Sequence, residues 1–532
     1  MQLSVLACFL IALWYWVVNM DLGSLGRALG NCAFNGVLFG IIFGDVVKGT
    51  IIGATINIMY ISVAAVGANM PADDSMAACI AIPVALATGL SPEEAVLLAT
   101  PFGILGTFMD NIRRMINGYW NRKMNKDIDK LNFKGFLVNG LIGPLAVQFL
   151  VRVPITFAIV LGVARGTASI LEIIPAWVMT GLSTLGGVLP GFGLVLCCTF
   201  IGKKDLLPFF VLGFFIFKAF GITNTVVAGI LGFVIAYVFV KLSYRDDDEQ
   251  MDFSMFKSTE WTGKMSKSES SRTGLRVILL HRFANSMEAL YGTGVCWSLT
   301  PILRKIYGDN EEGLKEALHR HNLPYISEMC GGNCIIGAAL AMEEEIAAGN
   351  AEVTGDDVVT LKSSLMGPFA GFGDSLLYST FAPLFRTIFI PLAQAGSVFA
   401  GVFMEWAIRI ICTIIGVWSF NLGYSTGKKS LLTILKGKTF KKLMLGAAVM
   451  GMFMLGVMGA SYCKLNIAYE VYSETLGGAI SLQSKLDSIL PGMLPFILML
   501  SVYRYFEKGW QYIKLILVCL VVALAGAFVG IF

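Results

Sequence analysis

Apolar runs alternate with short polar breaks along most of the chain. A helix needs roughly twenty apolar residues to cross the hydrocarbon layer of a membrane. Stretches of that length lie within residues 136–163, 171–200, 207–240, 388–420, 443–463 and 511–532. Because backbone polar groups in lipid must be satisfied internally, the pattern predicts an all-α polytopic membrane protein with about ten to twelve membrane segments.

Two further apolar stretches, 32–108 and 333–385, are interrupted by Gly, Pro, Asn and Asp. We interpret them as short, broken or re-entrant helices. Irregular backbone is tolerated at membrane depth only where protein or a water-filled cavity satisfies it, so such segments point to a substrate site. The apolar run 3–19 has no basic residues before it and no small-residue cleavage site before Asp21. It predicts a retained membrane segment, not a removed signal peptide.

A polar stretch near the middle of the chain divides it into two membrane halves. It carries four consecutive acidic residues, 246–249, and then a Lys- and Ser-rich run with little apolar surface to bury. We therefore predict a membrane domain over 1–241, a linker over 242–276 and a second membrane domain over 277–532. The basic residues of the linker favour the cytoplasmic side, as do those within 113–134, 203–204 and 436–442. Helix capping or contact with lipid headgroups is the alternative for some of these residues.

Composition excludes several other classes of protein. Of the 532 residues, 56% are hydrophobic and 14% are charged, far below the charged share of a soluble domain. A net charge of +4 is too small for a nucleic-acid partner. The eleven cysteines lie mostly in apolar runs, and Cys330 and Cys334 lack a second Cys/His pair, so we expect neither a disulfide framework nor a metal site.

The chain has no Walker-type phosphate loop, no His-Glu-x-x-His and no recognisable Ser-His-Asp set. We therefore expect no nucleotide site and no cofactor. Any energy for transport would come from outside this polypeptide.

Polar residues within apolar segments are costly and are functional candidates by default. Carboxylates and amides bind sugar hydroxyls, commonly beside an aromatic ring. The candidates for substrate binding are Asn57, Asn69, Asp73, Asp74, Glu288, His321, Glu328, Asn333, Glu343, Glu344 and Asp374. Helix capping is the alternative for Asp73, Asp74 and Asp374, and also for Asp45. For Asn57 the alternative is a hydrogen bond to the backbone, and for Glu343 and Glu344 it is exposure to water.

Short motifs in the first half follow one another in a characteristic order. They read Gly-Asp-Val-Val-Lys-Gly at 44–49, Ile-Gly-Ala-Thr at 52–55, Val-Gly-Ala at 66–68 followed by Asp73, and Leu-Pro-Phe-Phe-Val-Leu-Gly-Phe at 207–214. In this order they resemble the IIC subunit of the mannose/fructose/sorbose family of phosphotransferase system (PTS) permeases.

The second half resembles the partner IID subunit of the same family. Its matching stretches are 301–307, Arg-His at 320–321, Ala-Met-Glu-Glu at 341–344, Gly-Pro-Phe-Ala-Gly-Phe-Gly-Asp at 367–374, Gly-Tyr-Ser-Thr-Gly at 423–427, Val-Met-Gly-Ala at 457–460, Leu-Asp at 486–487 and Pro-Gly-Met-Leu-Pro at 491–495. The chain departs from the family pattern at Asn57 and within 325–333, close to the expected substrate region. These departures leave the identity of the sugar open.

The resemblance implies a fused IIC–IID permease, multi-pass in a bacterial cell membrane, that binds a hexose or an amino-sugar. It also implies assembly as a homotrimer and a cytoplasmic partner, IIB, which phosphorylates the sugar after IIA has phosphorylated IIB. The phosphoryl-carrying residues would then belong to IIA and IIB. His321 is accordingly expected to make a structural or gating hydrogen bond, with phosphorylation as the alternative.

Two other functions stay open on the residues alone. One is an ion-coupled secondary transporter that would use Asp73, Asp74 or Glu344. The other is a membrane receptor recognised by other proteins through its external loops, although the sequence contains no large external domain.

Overall fold

The protein is helical in almost all of the chain that its computed structural model describes. The described residues are 3–20, 22–60, 72–173, 175–201, 204–221, 225–244, 261, 264–328, 330–350, 352–373, 377–378, 381–436, 438–473, 478–508 and 512–532. Within them one small antiparallel sheet pairs β1 (Glu470–Ser473) with β2 (Gly478–Ser481). The all-α prediction is confirmed, and the hairpin adds to it.

The described residues of the first half contain eleven α-helices. They are α1 (Val5–Val18), α2 (Gly23–Gly30), α3 (Cys32–Phe43), α4 (Val46–Met59), α5 (Asp74–Thr88), α6 (Pro92–Asp129), α7 (Phe133–Leu137), α8 (Gly143–Ile173), α9 (Ala176–Ile201), α10 (Leu207–Ala219) and α11 (Thr225–Ser243). A π-helical turn, Val138–Ile142, joins α7 to α8.

Eleven more α-helices lie in the part of the second half that the structure describes. They are α12 (Lys267–Leu280), α13 (Gly292–Tyr307), α14 (Glu311–His321), α15 (Asn333–Ala347), α16 (Gly355–Gly373), α17 (Ala382–Gln394), α18 (Val398–Lys436), α19 (Lys438–Tyr462), α20 (Leu482–Ile489), α21 (Met493–Glu507) and α22 (Tyr512–Val529). Helix α12 begins inside the stretch predicted as a linker, because the side chain of Ser266 caps it by accepting a hydrogen bond from the Glu269 amide.

Four helical segments in the described part are long and apolar enough to cross a membrane. They are Pro92–Asp129, Phe133–Val163, Val398–Thr426 and Lys441–Tyr462, and a fifth is possible if α20 and α21, bent by 75° at their junction, count as one span. Six shorter apolar helices of 10–17 residues accompany them, among them α3, α4 and α5. The broken helices predicted over 32–108 are therefore confirmed, whereas length alone supports fewer spans than the expected ten to twelve.

Two of the predicted uninterrupted stretches are each divided by a turn. The stretch 207–240 breaks between α10 and α11, where Gly221 has a φ of +58°. The stretch 388–420 breaks between α17 and α18, where Gly396 has a φ of +92°. Glycine adopts this left-handed backbone without steric cost, so a chain can reverse there inside an otherwise apolar run.

Glycines hold the α3–α4 hairpin together. A Cβ atom on Gly36 would lie 2.4 Å from the carbonyl oxygen of Gly49, so the two backbones are in direct contact. Asp45 caps α4 by accepting the amide of Lys48 at 2.9 Å, as predicted for this residue. The hairpin thereby carries Asn57, near the end of α4, to the second half of the molecule.

Helix α18 is central to the second half and also contacts the first half. Within its own half it packs along α15, where a Cβ on Gly423 would lie 1.9 Å from the carbonyl oxygen of Cys334. Its other side contacts α2, α3 and α4. One part of the boundary between the halves therefore runs along α18, and another runs where α9, α10 and α11 pack against α19, α21 and α22.

Arg113 and Arg114, predicted to lie in a loop on the cytoplasmic side, lie in a helix and not in a loop. Helix α6 is continuous over 38 residues from Pro92 to Asp129, and both arginines are buried in it. The basic residues nearer its end, such as Arg122, are exposed. The helix continues from the apolar run before Asp110 into the polar stretch that follows, because no Gly-Pro pair interrupts it there.

Candidate functional site

Charged side chains of both halves gather where α18 faces the first half. Glu405 of α18 accepts two hydrogen bonds from Arg386, from Nε at 2.9 Å and from Nη2 at 3.1 Å. It also accepts Nε of Arg409, one helical turn further on, at 2.6 Å. Glu405 and Arg409 are only 1% and 3% exposed. A carboxylate buried in an apolar helix is costly unless it is paired, so two guanidinium groups hold it in its charged form.

The first half contributes Arg27 from α2 and Asp74 from the first turn of α5. Asp74 interacts electrostatically with Arg27, and also with Arg386 and Glu405 across the boundary. Arg27 in turn interacts with Arg409 of the second half. The α2 backbone reaches this place because Gly23 has no side chain: a Cβ there would lie 1.9 Å from the carbonyl oxygen of Ile278 in α12.

Glu328 lies in the irregular segment before α15 and joins the same group. Its side chain accepts the amides of Cys330 at 2.7 Å and Gly331 at 2.8 Å, and it interacts electrostatically with Arg409. The ring of Tyr378 lies beside Arg409, with 5.6 Å from the guanidinium carbon to the ring centroid.

We name this group of side chains the interface cluster. Its members are Arg27, Asp74, Glu328, Arg386, Glu405 and Arg409. It combines carboxylates and planar guanidinium groups with a neighbouring aromatic ring, which are the groups that bind sugar hydroxyls and the apolar face of a sugar ring.

Asn57 lies at the edge of the interface cluster. Its amide nitrogen contacts Sδ of Met404, the residue before Glu405, at 3.9 Å, and its oxygen accepts Nδ2 of Asn31 at 3.3 Å. Asn57 is 2% exposed. The structure thus brings Asn57, Asp74 and Glu328, three of the candidates, to one region of the boundary, and their contact with substrate stays a prediction.

Asp73 points away from the cluster into the first half. Its Oδ1 caps α5 by accepting the Met76 amide at 2.9 Å, and its Oδ2 accepts the hydroxyl of Tyr15 at 2.6 Å. Nη1 of Arg152 lies 3.1 Å from the same oxygen. The helix-capping alternative for Asp73 is therefore observed, together with a buried ion pair.

His321 and Glu343 form a second buried group that is separate from the cluster. Glu343 accepts Nε and Nη2 of Arg320 at 3.0 and 2.7 Å and the hydroxyl of Tyr307 at 2.6 Å. Nε2 of His321 lies 3.1 Å from Glu343. Burial lowers the pKa of His321, and the charge of nearby Lys362 acts in the same direction. The group ties α14 to α15, and its sugar contact stays a prediction.

Three more candidates lie elsewhere in the second half. Glu344 accepts the hydroxyl of Tyr424 at 2.7 Å and is 7% exposed, so it does not face open water. Asn333 donates to the carbonyl oxygen of Gly416 at 3.0 Å and is fully buried. Glu288 is exposed and forms an ion pair with Arg122 of α6 at the surface.

Glu288 lines an open cleft of about 680 Å³ between α6, α14 and the start of α16. Asn121 and Asn125 of the first half form one wall, and His319 and Arg320 of the second half form another. Asn322 donates to both asparagines, at 3.0 and 2.8 Å, so the cleft is a second place where the halves are in contact.

Asn69 and Asp374 lie outside the described residues. Among the residues that are described, no three His, Cys, Asp or Glu side chains come close enough together to hold a metal ion.

Sequence reasoning missed Arg27, Arg386, Glu405 and Arg409. Glu405 and Arg409 sit at an i, i+4 spacing inside the apolar stretch 388–420, where charged residues are rare and functional by default. The two charged residues are visible in the sequence, but the length of the apolar stretch led to its interpretation as a simple membrane helix. Arg27 lies in a short polar segment, and nothing in the sequence marks it as a neighbour of α18.

Two family models match the chain, each over a different part of it. Residues 264–532 match the model of the PTS mannose/fructose/sorbose family IID component, and residues 5–238 match that of the PTS sorbose-specific IIC component.

Individual relatives match either half. The mannose-specific EIID component of Escherichia coli (strain K12) is 27% identical over 272 residues, covering 50% of this chain and 95% of that protein. The fructose permease IID component of Bacillus subtilis (strain 168) is 29% identical over 249 residues, covering 46% and 90%. The sorbose-specific EIIC component of Lacticaseibacillus casei is 23% identical over 247 residues, covering 46% and 87%.

Two solved structures are also similar. One, described as a membrane protein, is 27% identical with a TM-score of 0.43 and covers 50% of this chain and 98% of that one. The other, the mannose transporter ManYZ in complex with microcin E492, is 26% identical with a TM-score of 0.30 and covers 51% and 99%. These TM-scores are too low to carry an argument about the fold.

Proposed function

Since the chain belongs to the mannose/fructose/sorbose family of PTS permeases as a fused IIC–IID protein, we propose that its interface cluster binds the transported sugar. The chain is a sugar-translocating, multi-pass membrane component of such a system. The observation that carries the proposal is the position of the cluster. Charged groups of both halves meet there, beside the broken helices α4 and α5.

The proposed substrate is a hexose or an amino-sugar. The relatives are mannose-, fructose- and sorbose-specific by name, and the cluster offers carboxylates that accept hydrogen bonds from sugar hydroxyls or from an ammonium group. Asp74 is the carboxylate we assign first to the sugar, because it is partly exposed, whereas Glu405 is occupied by Arg386 and Arg409. Glu328, whose oxygens accept two backbone amides, would add a second contact. Asn57 of the first half and Tyr378 of the second half would make the remaining contacts with the sugar.

The proposed partner is a cytoplasmic IIB protein that is itself phosphorylated by IIA. IIB would transfer a phosphoryl group from its histidine to a sugar hydroxyl, so that a phosphoester forms while the histidine is released unmodified. The sugar phosphate is charged and cannot return through an apolar path. The chain would supply the binding pocket and the gate, and IIB the chemistry.

We also propose the arrangement of the chain. Residues 1–241 would be the IIC domain, 242–276 a cytoplasmic linker and 277–532 the IID domain, in a protein that forms homotrimers in a bacterial cell membrane. The two family matches, 5–238 and 264–532, support the division into two domains, although the IID match begins inside the proposed linker.

The test uses inside-out membrane vesicles that contain the full chain, with phosphoenolpyruvate, the general PTS proteins, IIA and IIB. Mannose, fructose, sorbose and glucosamine are offered in radiolabelled form, and sugar phosphate is counted. We expect product from at least one of them, and none when IIB is omitted. Uptake of free sugar that needs only an imposed ion gradient would contradict the proposal and indicate a secondary transporter.

A matched pair of variants tests the site itself. Asp74→Asn should lower the affinity for the sugar by about tenfold or more, because a charged hydrogen-bond acceptor is lost from a buried site. Asp45→Asn changes an Asp that caps a helix of the same half but is exposed and outside the cluster. It should transport like the parent protein, and equal losses in both variants would argue against sugar binding by Asp74.

A further inference from the structure

Four helices of the first half meet at Asp73, immediately before α5. Both carboxylate oxygens are occupied, Oδ1 by the Met76 amide and Oδ2 by Tyr15 of α1 and Arg152 of α8. The side chain is 0% exposed. The next residue, Asp74, is partly exposed and belongs to the interface cluster. Adjacent carboxylates therefore have different surroundings, and only Asp74 is open to a ligand.

Arg152 links Asp73 to a second buried carboxylate. Its Nη1 lies 3.1 Å from Asp73, and its Nη2 lies 3.1 Å from Oδ1 of Asp110 in α6. Asp110 is held from its own helix by Arg113 at 2.8 Å and by Arg114 at 3.2 Å. Hydrogen bonds between charged groups are strong and directional in a low dielectric, so the chain of contacts fixes these side chains relative to one another.

The backbone at Asp73 is fixed as well. Its amide donates to the carbonyl oxygen of Gly103 in α6 at 2.9 Å. A Cβ atom on Gly106 would lie 2.4 Å from Cβ of Asp73, so the side chain rests directly on the α6 backbone. The start of α5 is therefore attached to α1, α6 and α8 before it reaches the boundary between the halves.

We propose that Tyr15, Asp73 and Arg152 form a buried anchor that sets the position of Asp74 in the interface cluster. In this assignment Asp73 is a positioning residue that acts through the first turn of α5 and does not touch the sugar. The inference rests on the proposed function, because it assigns Asp74 to the sugar. A binding carboxylate displaced by as little as 1 Å loses much of its effect, which gives such an anchor a functional consequence.

Tyr15→Phe tests the anchor with the smallest change. It removes the hydroxyl that Asp73 and Arg152 share and keeps the ring. Tyr119→Phe is the matched control, because this tyrosine of the same half is 47% exposed. We expect Tyr15→Phe to raise the half-saturating sugar concentration by about fivefold, because a displaced Asp74 carboxylate binds the sugar less well, and to leave the maximal rate unchanged. Tyr119→Phe should change neither value.

Hydrogen exchange in detergent gives a reading that does not need transport. The amides of residues 74–77 should exchange faster in Tyr15→Phe than in the parent protein, whereas those of α4 should not. Arg152→Lys, which keeps the charge but not the bridge to Asp110, should repeat both effects.

The outcomes separate the two hypotheses. Unchanged exchange at residues 74–77 would overturn the anchor whether or not the chain transports sugar. Faster exchange with an unchanged half-saturating concentration would overturn its role in sugar binding. Failure of the parent protein to transport any sugar would overturn the proposed function, and the exchange measurement would still decide whether the anchor exists.

Discussion

The residues that the second half contributes to the interface cluster depend on the carboxylate of Glu405. Arg386 and Arg409 both bind it, and Glu405 and Arg409 are almost fully buried. Removing one partner of a buried ionic group leaves the remaining charges unpaired, which costs more than the group contributed when intact. The position of the two arginines therefore depends on the charge of this residue.

We predict that Glu405→Gln lowers the free energy of unfolding by about 3–5 kcal/mol, because the buried guanidinium group of Arg409 and the partly buried one of Arg386 lose the carboxylate that they share. The fraction of monodisperse protein after heating in detergent measures the effect. Glu312→Gln is the control, since Glu312 is 78% exposed in its ion pair with Lys315 and such pairs contribute about 0–1 kcal/mol. A Glu405→Gln protein as heat-resistant as the control would show that the arginines do not depend on this carboxylate.

At the scale of the element, close helix packing decides where the cluster residues lie. Helix α18 presents Glu405 and Arg409 to the first half while its C-terminal part is pressed against α15. Gly423 permits this approach, because the carbonyl oxygen of Cys334 occupies the place of a side chain. The same contact holds the start of α15, next to the segment that carries Glu328.

Gly423→Ala should therefore separate α15 from α18 and destabilise the protein by about 1–3 kcal/mol, the usual range for overpacking. The yield of folded protein and its thermal stability measure this. Gly367→Ala in α16 is the matched control, because a Cβ there meets nothing within 4 Å and alanine is the better helix former. If Gly423→Ala were as stable as Gly367→Ala, the contact would not be needed for the fold.

At the scale of the whole molecule, the two halves are joined by more than the linker. Asn57 contacts Met404, and Asn117 donates to the carbonyl oxygen of Asn285 at 2.9 Å. Asn121 accepts the hydroxyl of Thr293 at 2.9 Å, and Asn322 adds a further bond to the same residue. In the first half these contacts lie on α4 and α6, and in the second half they lie on several elements, so more than the covalent connection holds the halves together.

We predict that residues 1–250 and 251–532, expressed together as two polypeptides, associate into a complex that retains sugar transport. A tag on one half should purify the other in equal amounts, and transport should stay within about threefold of the intact chain, since the contacts that form the interface are unchanged. Either half expressed alone is the control and should give little folded protein, because its boundary face is exposed. Failure of the halves to co-purify would show that the interface needs the covalent connection.

Much of the fold follows from local pattern. The broken helices within 32–108 were predictable because Gly and Pro interrupt an apolar run, and their backbone preferences act within a few residues. The Asp45 cap was also predictable, because helix capping depends on residues within one helical turn. The divisions of 207–240 and 388–420 were not, because Gly221 and Gly396 look like the many glycines that lie inside membrane helices.

The candidate site was predictable only in part. Intramembrane polarity selected Asn57, Asp74 and Glu328, which the structure brings to one region, and their contact with sugar stays a prediction. It also selected Asp73, His321 and Glu343, which have the same chemistry but are enclosed by partners from distant helices. A sequence shows that a charge is buried in an apolar segment, but it does not show whether another charge neutralises it.

The sequence by itself determined the membrane character, the two halves and the absence of a nucleotide motif. Composition, periodicity and short motifs are properties of neighbouring residues, so they can be recognised without knowing which distant residues are in contact. Only the tertiary structure decided which charges meet. Asp73 and Asp74 are neighbours in sequence, yet one faces Arg152 inside the first half and the other faces Arg27 at the boundary. The difference arises because the Asp73 side chain caps α5 and turns into the first half, whereas Asp74 lies in the first turn of the helix and points to the boundary.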